Sequence, residues 1–252
     1  MNKNKKLGFT LAEVLIVIGI IGVVAALTLP NLNHATGDKE KVTKVKKIYS
    51  SLTDAVDRAQ AIYGPFDTWF KDLSTNAEKN ERFAKRITEF LKVSKDCGFD
   101  KGCFSDASLL DINGGILDGT DDYLSMLQSN DTAYMLTLSD GISLAFLNHG
   151  MPKIKVDIDG PNKGKNQNGN DIFDFSIYIE DDNPGSASAA SNNGANINQL
   201  YPSARPDCWS SSNNVSGCIF SSYVTAWVIQ NGNLDYLKCP DELNWETKTS
   251  CE

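Results

Sequence analysis

A long uncharged segment near the amino terminus constrains this chain more than any other feature. No Asp, Glu, Lys or Arg occurs from Val14 to Gly37, and Val14–Leu29 is almost wholly aliphatic. With Phe9–Ala12 the apolar stretch reaches about 20 residues, the length of a helix that spans a bilayer. The sequence therefore predicts a transmembrane segment at about residues 9–30.

The residues before this segment indicate its orientation. Lys3, Lys5 and Lys6 are positively charged, and residues 1–8 contain no acidic side chain. Lysine-rich flanks of membrane segments stay in the cytoplasm. We therefore expect a single-pass protein whose remaining residues lie outside the cytoplasm.

Outside the cytoplasm, cysteines can oxidise to disulfides, and the chain has an even number of them. Six cysteines allow fifteen pairings, among which proximity favours 97–103, 208–218 and 239–251 without excluding the others. No Cys-x-x-Cys pair occurs, and disulfides are therefore a better interpretation than a zinc site. The six residues are Cys97, Cys103, Cys208, Cys218, Cys239 and Cys251.

One charged side chain, Glu13, lies near the start of the apolar segment. An unpaired carboxylate in hydrocarbon is costly, so Glu13 is either a functional residue or one that reaches the membrane interface. Its context favours function, because the run from Lys6 to Pro30 closely resembles the class III signal of type IV pilins and type II secretion pseudopilins. The resemblance covers about residues 1–32.

This resemblance implies a processing site and an assembly role. A membrane prepilin peptidase would cut between Gly8 and Phe9 and methylate the new amino terminus at Phe9. The Glu13 carboxylate would then pair with the terminal ammonium of a neighbouring subunit. Such a pair would fix the register between neighbouring subunits. Pro30 would kink or locally melt the helix in a filament.

An ordinary secretory signal peptide, cut near Ala25 and Ala26, is the competing interpretation. Glu13 inside the apolar region argues against it, as does the absence of a break after the span.

Helical spacing continues beyond the apolar segment. Apolar residues recur every three or four positions from Val42 to Ala59, and Gly64-Pro65 ends the pattern. We therefore predict one long helix from Phe9 to Tyr63. A lysine cluster is interpreted as a solvated face, or else as a contact for acidic lipid headgroups or adjoining subunits; it comprises Lys39, Lys41, Lys44, Lys46 and Lys47.

The rest of the chain predicts a small head made of helix and sheet. Residues 66–96 have helical spacing, and Ser139-Asp140-Gly141 is a hairpin signal between strands. The predicted strands are 133–138, 142–147, 153–158, 171–179 and 220–230. A long helix on a small antiparallel sheet is an α+β fold, which is also the pilin architecture. The expected divisions are a leader at 1–8, a helix at 9–63, and a head at 64–252 with a loop-rich, disulfide-bonded C-terminal region.

The loop at 157–171 is rich in oxygen ligands, and Ca²⁺ takes six to eight of these. The loop does not fit the EF-hand frame. It resembles a loop common among pseudopilin-like proteins, whose major members hold a structural calcium ion. Asp157, Asp159 and Asp171 are the predicted ligands. The alternative is a turn-rich loop whose side chains cap backbone N–H groups.

No catalytic set is visible, because the sequence contains no Gly-x-Ser-x-Gly elbow, phosphate loop or His-Glu-x-x-His motif. The formal net charge of −8 argues against nucleic acid as a partner. The tryptophans are interpreted as core residues rather than a sugar-binding patch: Trp69, Trp209, Trp227 and Trp245.

These features predict a non-enzymatic subunit, pseudopilin or minor pilin, of a type II secretion or type IV pilus-like filament. Its expected partners are other pilin subunits, prepilin peptidase, the assembly platform of the bacterial inner membrane, and lipid. The head would face the periplasm, and the filament would lie there or on the cell surface. The alternative is a pilin-anchored adhesin or DNA-uptake subunit that binds through loops at 182–218.

Overall fold

In the described part of the chain, two α-helices come first, six strands follow, and a short α-helix comes after them. The computed structural model describes residues 10–105, 108–116, 133–149, 151–177, 198–202 and 224–251, with the backbone alone at 25–36, 149 and 151. The elements are α1 (Leu11–Tyr63), α2 (Asn76–Thr88), β1 (Val93–Gly98), β2 (Tyr134–Leu138), β3 (Ser143–His149), β4 (Met151–Asp157), β5 (Ile172–Ile177), β6 (Leu200–Pro202) and α3 (Thr225–Asn231). Short 3₁₀ turns occupy Phe66–Thr68, Asp235–Leu237 and Pro240–Glu242.

Helix α1 confirms the predicted long helix from Leu11 to Tyr63, and Phe9 lies outside the described residues. Its second part buries the predicted apolar stripe because these positions fall on one face at 3.6 residues per turn. The Tyr49 ring also stacks on Phe175 of β5, with the centroids 5.6 Å apart. The buried stripe consists of Val42, Val45, Ile48, Leu52, Ala55, Val56 and Ala59.

The chain divides into two units, Met1–Glu40 and Lys41–Glu252, and we call the second the head unit. In the described part of the chain, no helix combines the length and the apolarity that crossing a bilayer requires. The transmembrane segment predicted at about 9–30 extends beyond the side chains that the structure describes and stays a prediction.

The head unit contains a six-stranded antiparallel sheet in which every strand pairs with the next one along the chain. This arrangement confirms the predicted α+β class. One face of the sheet shares the main core with α1 and α2, where the Phe83 and Phe146 rings lie 5.0 Å apart. The other face carries a smaller apolar cluster of Cys103, Phe104, Leu109, Ala133, Met135, Ala145, Leu147 and Ile172.

The predicted helical stretch at 66–96 is confirmed only in its middle. Helix α2 begins at a capping box, in which Thr75 and Glu78 bond each other's backbone N–H groups at 3.3 and 3.0 Å. Beyond α2 the helical prediction is wrong, because Val93–Gly98 forms strand β1 and pairs with β2. This exposed six-residue segment has little β propensity of its own, and the neighbouring strand determines its conformation.

The strand predicted at 220–230 is also wrong where it can be seen, and residues 220–223 lie outside the described residues. Thr225–Asn231 is helix α3. All five residues from Val224 to Val228 are buried. A short apolar run that is buried on every side does not distinguish a helix from a strand by its periodicity. Gly232 ends α3 in the left-handed conformation, at φ 69°, as a C-cap glycine does.

The interpretation of the tryptophans as core residues is confirmed for three of them. Trp69, Trp227 and Trp245 are at most 5% exposed, and Trp69 Nε1 donates to the Gly64 carbonyl at 2.9 Å. Trp209 lies outside the described residues.

Candidate functional site

Helix α1 begins with a reciprocal cap between Thr10 and Glu13. Both the backbone N–H and the hydroxyl of Thr10 donate to Glu13 Oε2, at 2.8 and 2.7 Å. The Glu13 N–H donates back to the Thr10 hydroxyl at 3.3 Å. This pattern is a capping box, and it fixes the carboxylate at the helix start, where the helix dipole favours negative charge. Glu13 is therefore oriented as well as charged.

The first turns of α1 expose an apolar surface in the single chain. Side chains from Leu11 to Val24 include ten large aliphatic ones that are between 45% and 81% exposed. Soluble monomers rarely expose contiguous apolar patches of this kind, and such patches mark contacts with protein or lipid. The exposed residues are Leu11, Val14, Leu15, Ile16, Val17, Ile18, Ile20, Ile21, Val23 and Val24.

The predicted processing site, Gly8 and Phe9, lies outside the described residues. The backbone of α1 continues through Pro30, whose side chain is likewise outside the described part. Cleavage between Gly8 and Phe9, methylation of Phe9 and a kink at Pro30 therefore stay predictions.

The three aspartates predicted as metal ligands come together in the loop between β4 and β5, which we call the aspartate loop (Asp157–Asp171). Asp157 Oδ1 accepts the backbone N–H groups of Asp159 and Gly160, at 3.0 and 2.9 Å. Its second oxygen, Oδ2, is buried without a hydrogen-bond partner. This oxygen has lost its contact with water without gaining a hydrogen bond, which costs free energy.

The Asp171 carboxylate organises the other end of the aspartate loop. It accepts backbone N–H groups from Lys165, Asn166 and Gln167, with the last at 2.7 Å. Gly164 passes so close, with φ at +80°, that a Cβ there would collide with Asp171 Oδ2. Only glycine suits that position. This capping is the arrangement that the non-metal interpretation predicts.

The residues that sequence reasoning missed are the lysines that contact these loops. Lys44 Nζ lies 3.0 Å from Asp159 Oδ1, Lys41 Nζ donates to Asn170 Oδ1, and Lys47 Nζ lies 2.9 Å from Asp140 Oδ2. The interpretation of the lysine cluster as a solvated face is therefore wrong for Lys41 and Lys44, which are partly buried, whereas the Lys47 side chain is 63% exposed and agrees with it. Their spacing of three residues places them on one side of α1. Combined with the acidic residues at 157–171, this spacing could have predicted a contact between the lysines and that loop.

The predicted calcium site is not assembled as a cluster of ligands. Among the residues that the structure describes, no group of three or more His, Cys, Asp or Glu side chains is placed to hold a metal ion. The three predicted ligands are neighbours, but their oxygens largely bond backbone N–H groups and Lys44. Calcium binding stays a prediction that a binding measurement decides.

The Asp157 carboxyl predicts a pH dependence of stability. Burial raises its pKa to about 6; N–H bonds from Asp159 and Gly160 oppose the rise, and the carboxylates of Asp171 and Asp159 add to it. An unfolded aspartate titrates near pH 4, so the folded chain holds its proton more tightly. The resulting stabilisation is complete below about pH 4 and is lost as the pH rises through about 6, on the order of 3 kcal/mol in all.

The Asp157→Asn variant tests this pH dependence, because the amide keeps the Oδ1 acceptor but does not titrate. Urea unfolding of both chains with a chelator, at steps from pH 4 to 7, should show wild type losing stability relative to the variant. Parallel profiles would contradict the raised pKa.

Among the described residues of the head unit, two disulfides tie down loops. Cys97 bonds Cys103, and Cys239 bonds Cys251. These are two of the three pairings that sequence proximity favours, and Cys208 and Cys218 lie outside the described residues. The second bond holds the C-terminal segment after Asp235–Leu237, where the chain forms only short turns.

Comparison with known proteins gives a family match at the amino-terminal end and two curated relatives that are similar over part of their length. Residues 3–29 match the family model of the prokaryotic N-terminal methylation motif. The chain is similar to the type II secretion system core protein G of Aeromonas hydrophila, with 42% identity over 59 residues, which is 23% of this chain and 39% of that protein. It is also similar to the core protein G of Escherichia coli strain K12, with 46% identity over 56 residues, which is 21% of this chain and 37% of that protein.

The chain therefore spans less than two fifths of the length of these curated relatives. No solved structure matches it. The methylation motif and the likeness to core protein G agree with the capped Glu13 and the exposed apolar helix start described above. The methylation motif at residues 3–29 and the likeness to core protein G support the pilin and pseudopilin family for the N-terminal segment of this chain.

Proposed function

We propose that this chain is a structural subunit, pseudopilin or minor pilin, of a type II secretion or type IV pilus-like filament. The observation that carries the proposal is the N-terminal segment, in which the methylation motif at residues 3–29 overlaps the exposed apolar start of α1. A surface of this kind suits a helix that lies in the membrane first and among other helices afterwards. The work of the subunit is mechanical rather than catalytic.

Processing would create the charge that Glu13 needs. Prepilin peptidase cuts between Gly8 and Phe9, and the new terminal ammonium of Phe9 then lies one residue before Thr10. Both Thr10 bonds go to Glu13 Oε2. The acceptor capacity of Oε1 can therefore receive the Phe9 ammonium of a neighbouring subunit. Burial of both groups among packed helices favours a single register, because an unpaired charge there is expensive.

The proposed location is the bacterial inner membrane, with the head unit in the periplasm until the subunit enters the filament. The disulfides of the head unit support an oxidising compartment. The proposed partners are other pilin subunits, the peptidase, the assembly platform and membrane lipid. A pilin-anchored adhesin or DNA-uptake subunit remains the alternative; its binding loops at 182–218 lie outside the described residues except for 198–202.

The mass of the amino terminus tests this proposal. We expect the chain recovered from membranes of a host with prepilin peptidase to start at methylated Phe9. The variant Gly8→Leu, which places a bulky side chain beside the scissile bond, should keep residues 1–8 and serves as the control. A wild-type start near Leu27 would indicate an ordinary signal peptidase and would overturn the filament assignment.

A further inference from the structure

The aspartate loop collects three carboxylates, and a nearby cation offsets their mutual repulsion. Calcium would need six to eight oxygen ligands at this point. Asp171 gives both of its oxygens to backbone N–H groups, and Asp157 gives Oδ1 in the same way. Asp159 Oδ1 faces an ammonium instead. Among the described residues, no three acidic, histidine or cysteine side chains are placed together to hold a metal ion, so the carboxylates of this loop are not arranged as a calcium cage.

We propose that Lys44 is the built-in cation of the aspartate loop, and that the head unit holds this loop against α1 without a divalent metal ion. The Lys44 ammonium lies 3.0 Å from Asp159 Oδ1, and the two side chains are 34% and 18% exposed. Partial burial strengthens such a charge-assisted bond relative to a surface pair. One lysine thus supplies the positive charge at the place where a metal ion would otherwise sit.

Lys41 extends the same contact into the centre of the loop. Its ammonium donates to the side chain of Asn170, which is only 6% exposed. Asn170 Nδ2 in turn donates to Gln167 Oε1 at 3.0 Å, and Gln167 Nε2 donates to the Ile112 carbonyl at 2.8 Å. A continuous chain of hydrogen bonds therefore runs from α1 through the loop to residue 112. Networks of this kind rigidify the segment that they cross.

The adjoining hairpin turn is held from the same side of α1. Lys47 pairs with Asp140 in the turn between β2 and β3. Gly160 of the aspartate loop packs so closely on the Gly141 carbonyl that a side chain there would collide with it. Movement of either loop therefore disturbs the other. The three lysines act as one row that docks two loops, which explains why they occur at intervals of three residues.

The test compares wild type, Lys44→Met, Lys44→Arg and Lys163→Met, each as the full chain in detergent micelles. Lys163→Met is the matched control, because it removes one exposed charge from the same loop. Hydrogen exchange of the amides of Lys165, Asn166 and Gln167 reports whether the loop stays closed, since these amides bond Asp171. Each chain is measured with EGTA and with millimolar CaCl₂.

In EGTA we expect exchange at these amides to be about fivefold faster in Lys44→Met, unchanged in Lys163→Met and near wild type in Lys44→Arg. Calcium should change neither the exchange nor the Tm of wild type. Slower exchange or a higher Tm of wild type in calcium would overturn the proposal, as would Lys44→Met exchanging like wild type. None of these readouts requires assembly, and the result is therefore independent of the filament assignment.

Discussion

The Glu13→Gln variant is expected to be processed normally and yet to enter filaments at about a hundredth of the wild-type level. In the variant, the terminal ammonium of each incoming subunit has no counter-charge. Leaving one member of a buried ion pair uncompensated costs about 3–5 kcal/mol, and 3 kcal/mol is more than a hundredfold in an equilibrium. The measurement is the ratio of subunit in sheared filaments to subunit in membranes, by quantitative immunoblot.

Glutamine is the informative replacement because it retains the capping contact. Its side-chain carbonyl can still accept from the N–H and hydroxyl of Thr10, which the carboxylate does at 2.8 and 2.7 Å. A loss of assembly is then due to charge rather than to an unravelled helix start. Thr10→Val is the converse control, since it removes the hydroxyl contact and keeps the charge. Equal assembly of Glu13→Gln and wild type would refute the pairing.

The Phe83→Ala variant should lower the free energy of unfolding of the head unit by about 4 kcal/mol. Phe83 is fully buried between the helices and the sheet, with the rings of Phe66 and Phe146 at 5.1 and 5.0 Å. Its truncation leaves a cavity at the contact of α2 with β3. Because domains of this size are stable by about 5–15 kcal/mol, this loss removes between about a quarter and four fifths of the total stability.

Urea unfolding followed by tryptophan fluorescence measures this effect, with the disulfides intact. Phe70→Ala is the matched control, because its ring touches the same cluster, 6.3 Å from Phe83, but is only partly buried. We expect the control to lose less than half as much stability. Equal losses of unfolding free energy in the two variants would contradict the prediction that the contact of α2 with the sheet contributes more to stability than the partly buried edge of the cluster.

Patterns confined to one element were predictable from the sequence. The buried stripe of α1 follows from helical periodicity, and the turn at Ser139–Gly141 follows from residues that favour a hairpin. The capping potential of Asp171 was also visible as an alternative to metal binding. In these cases the residues that decide the structure are close together in the chain.

Features that depend on distant partners were not predictable. Strand β1 exists because β2 is beside it, and Lys44 has a role because a loop more than a hundred residues later reaches it. The alternation in β4 indicates two faces but does not say what covers them. Lys155 and Asp174, opposite each other on β4 and β5, are in fact a buried ion pair with Nζ and Oδ1 2.7 Å apart.

If the head unit is exported as proposed above, the sequential pairing of its described strands bears on how it can fold during export. Since each strand bonds to the strand before it, every newly exported strand meets a partner that has already crossed. The sheet can then grow without a segment that is distant in the chain, and few strand edges stay unpaired at any stage. Cys251 follows all six described strands in the chain, so its bond with Cys239 can form only after these strands have been exported. Secretion itself would thus supply the order of assembly, from the membrane outward.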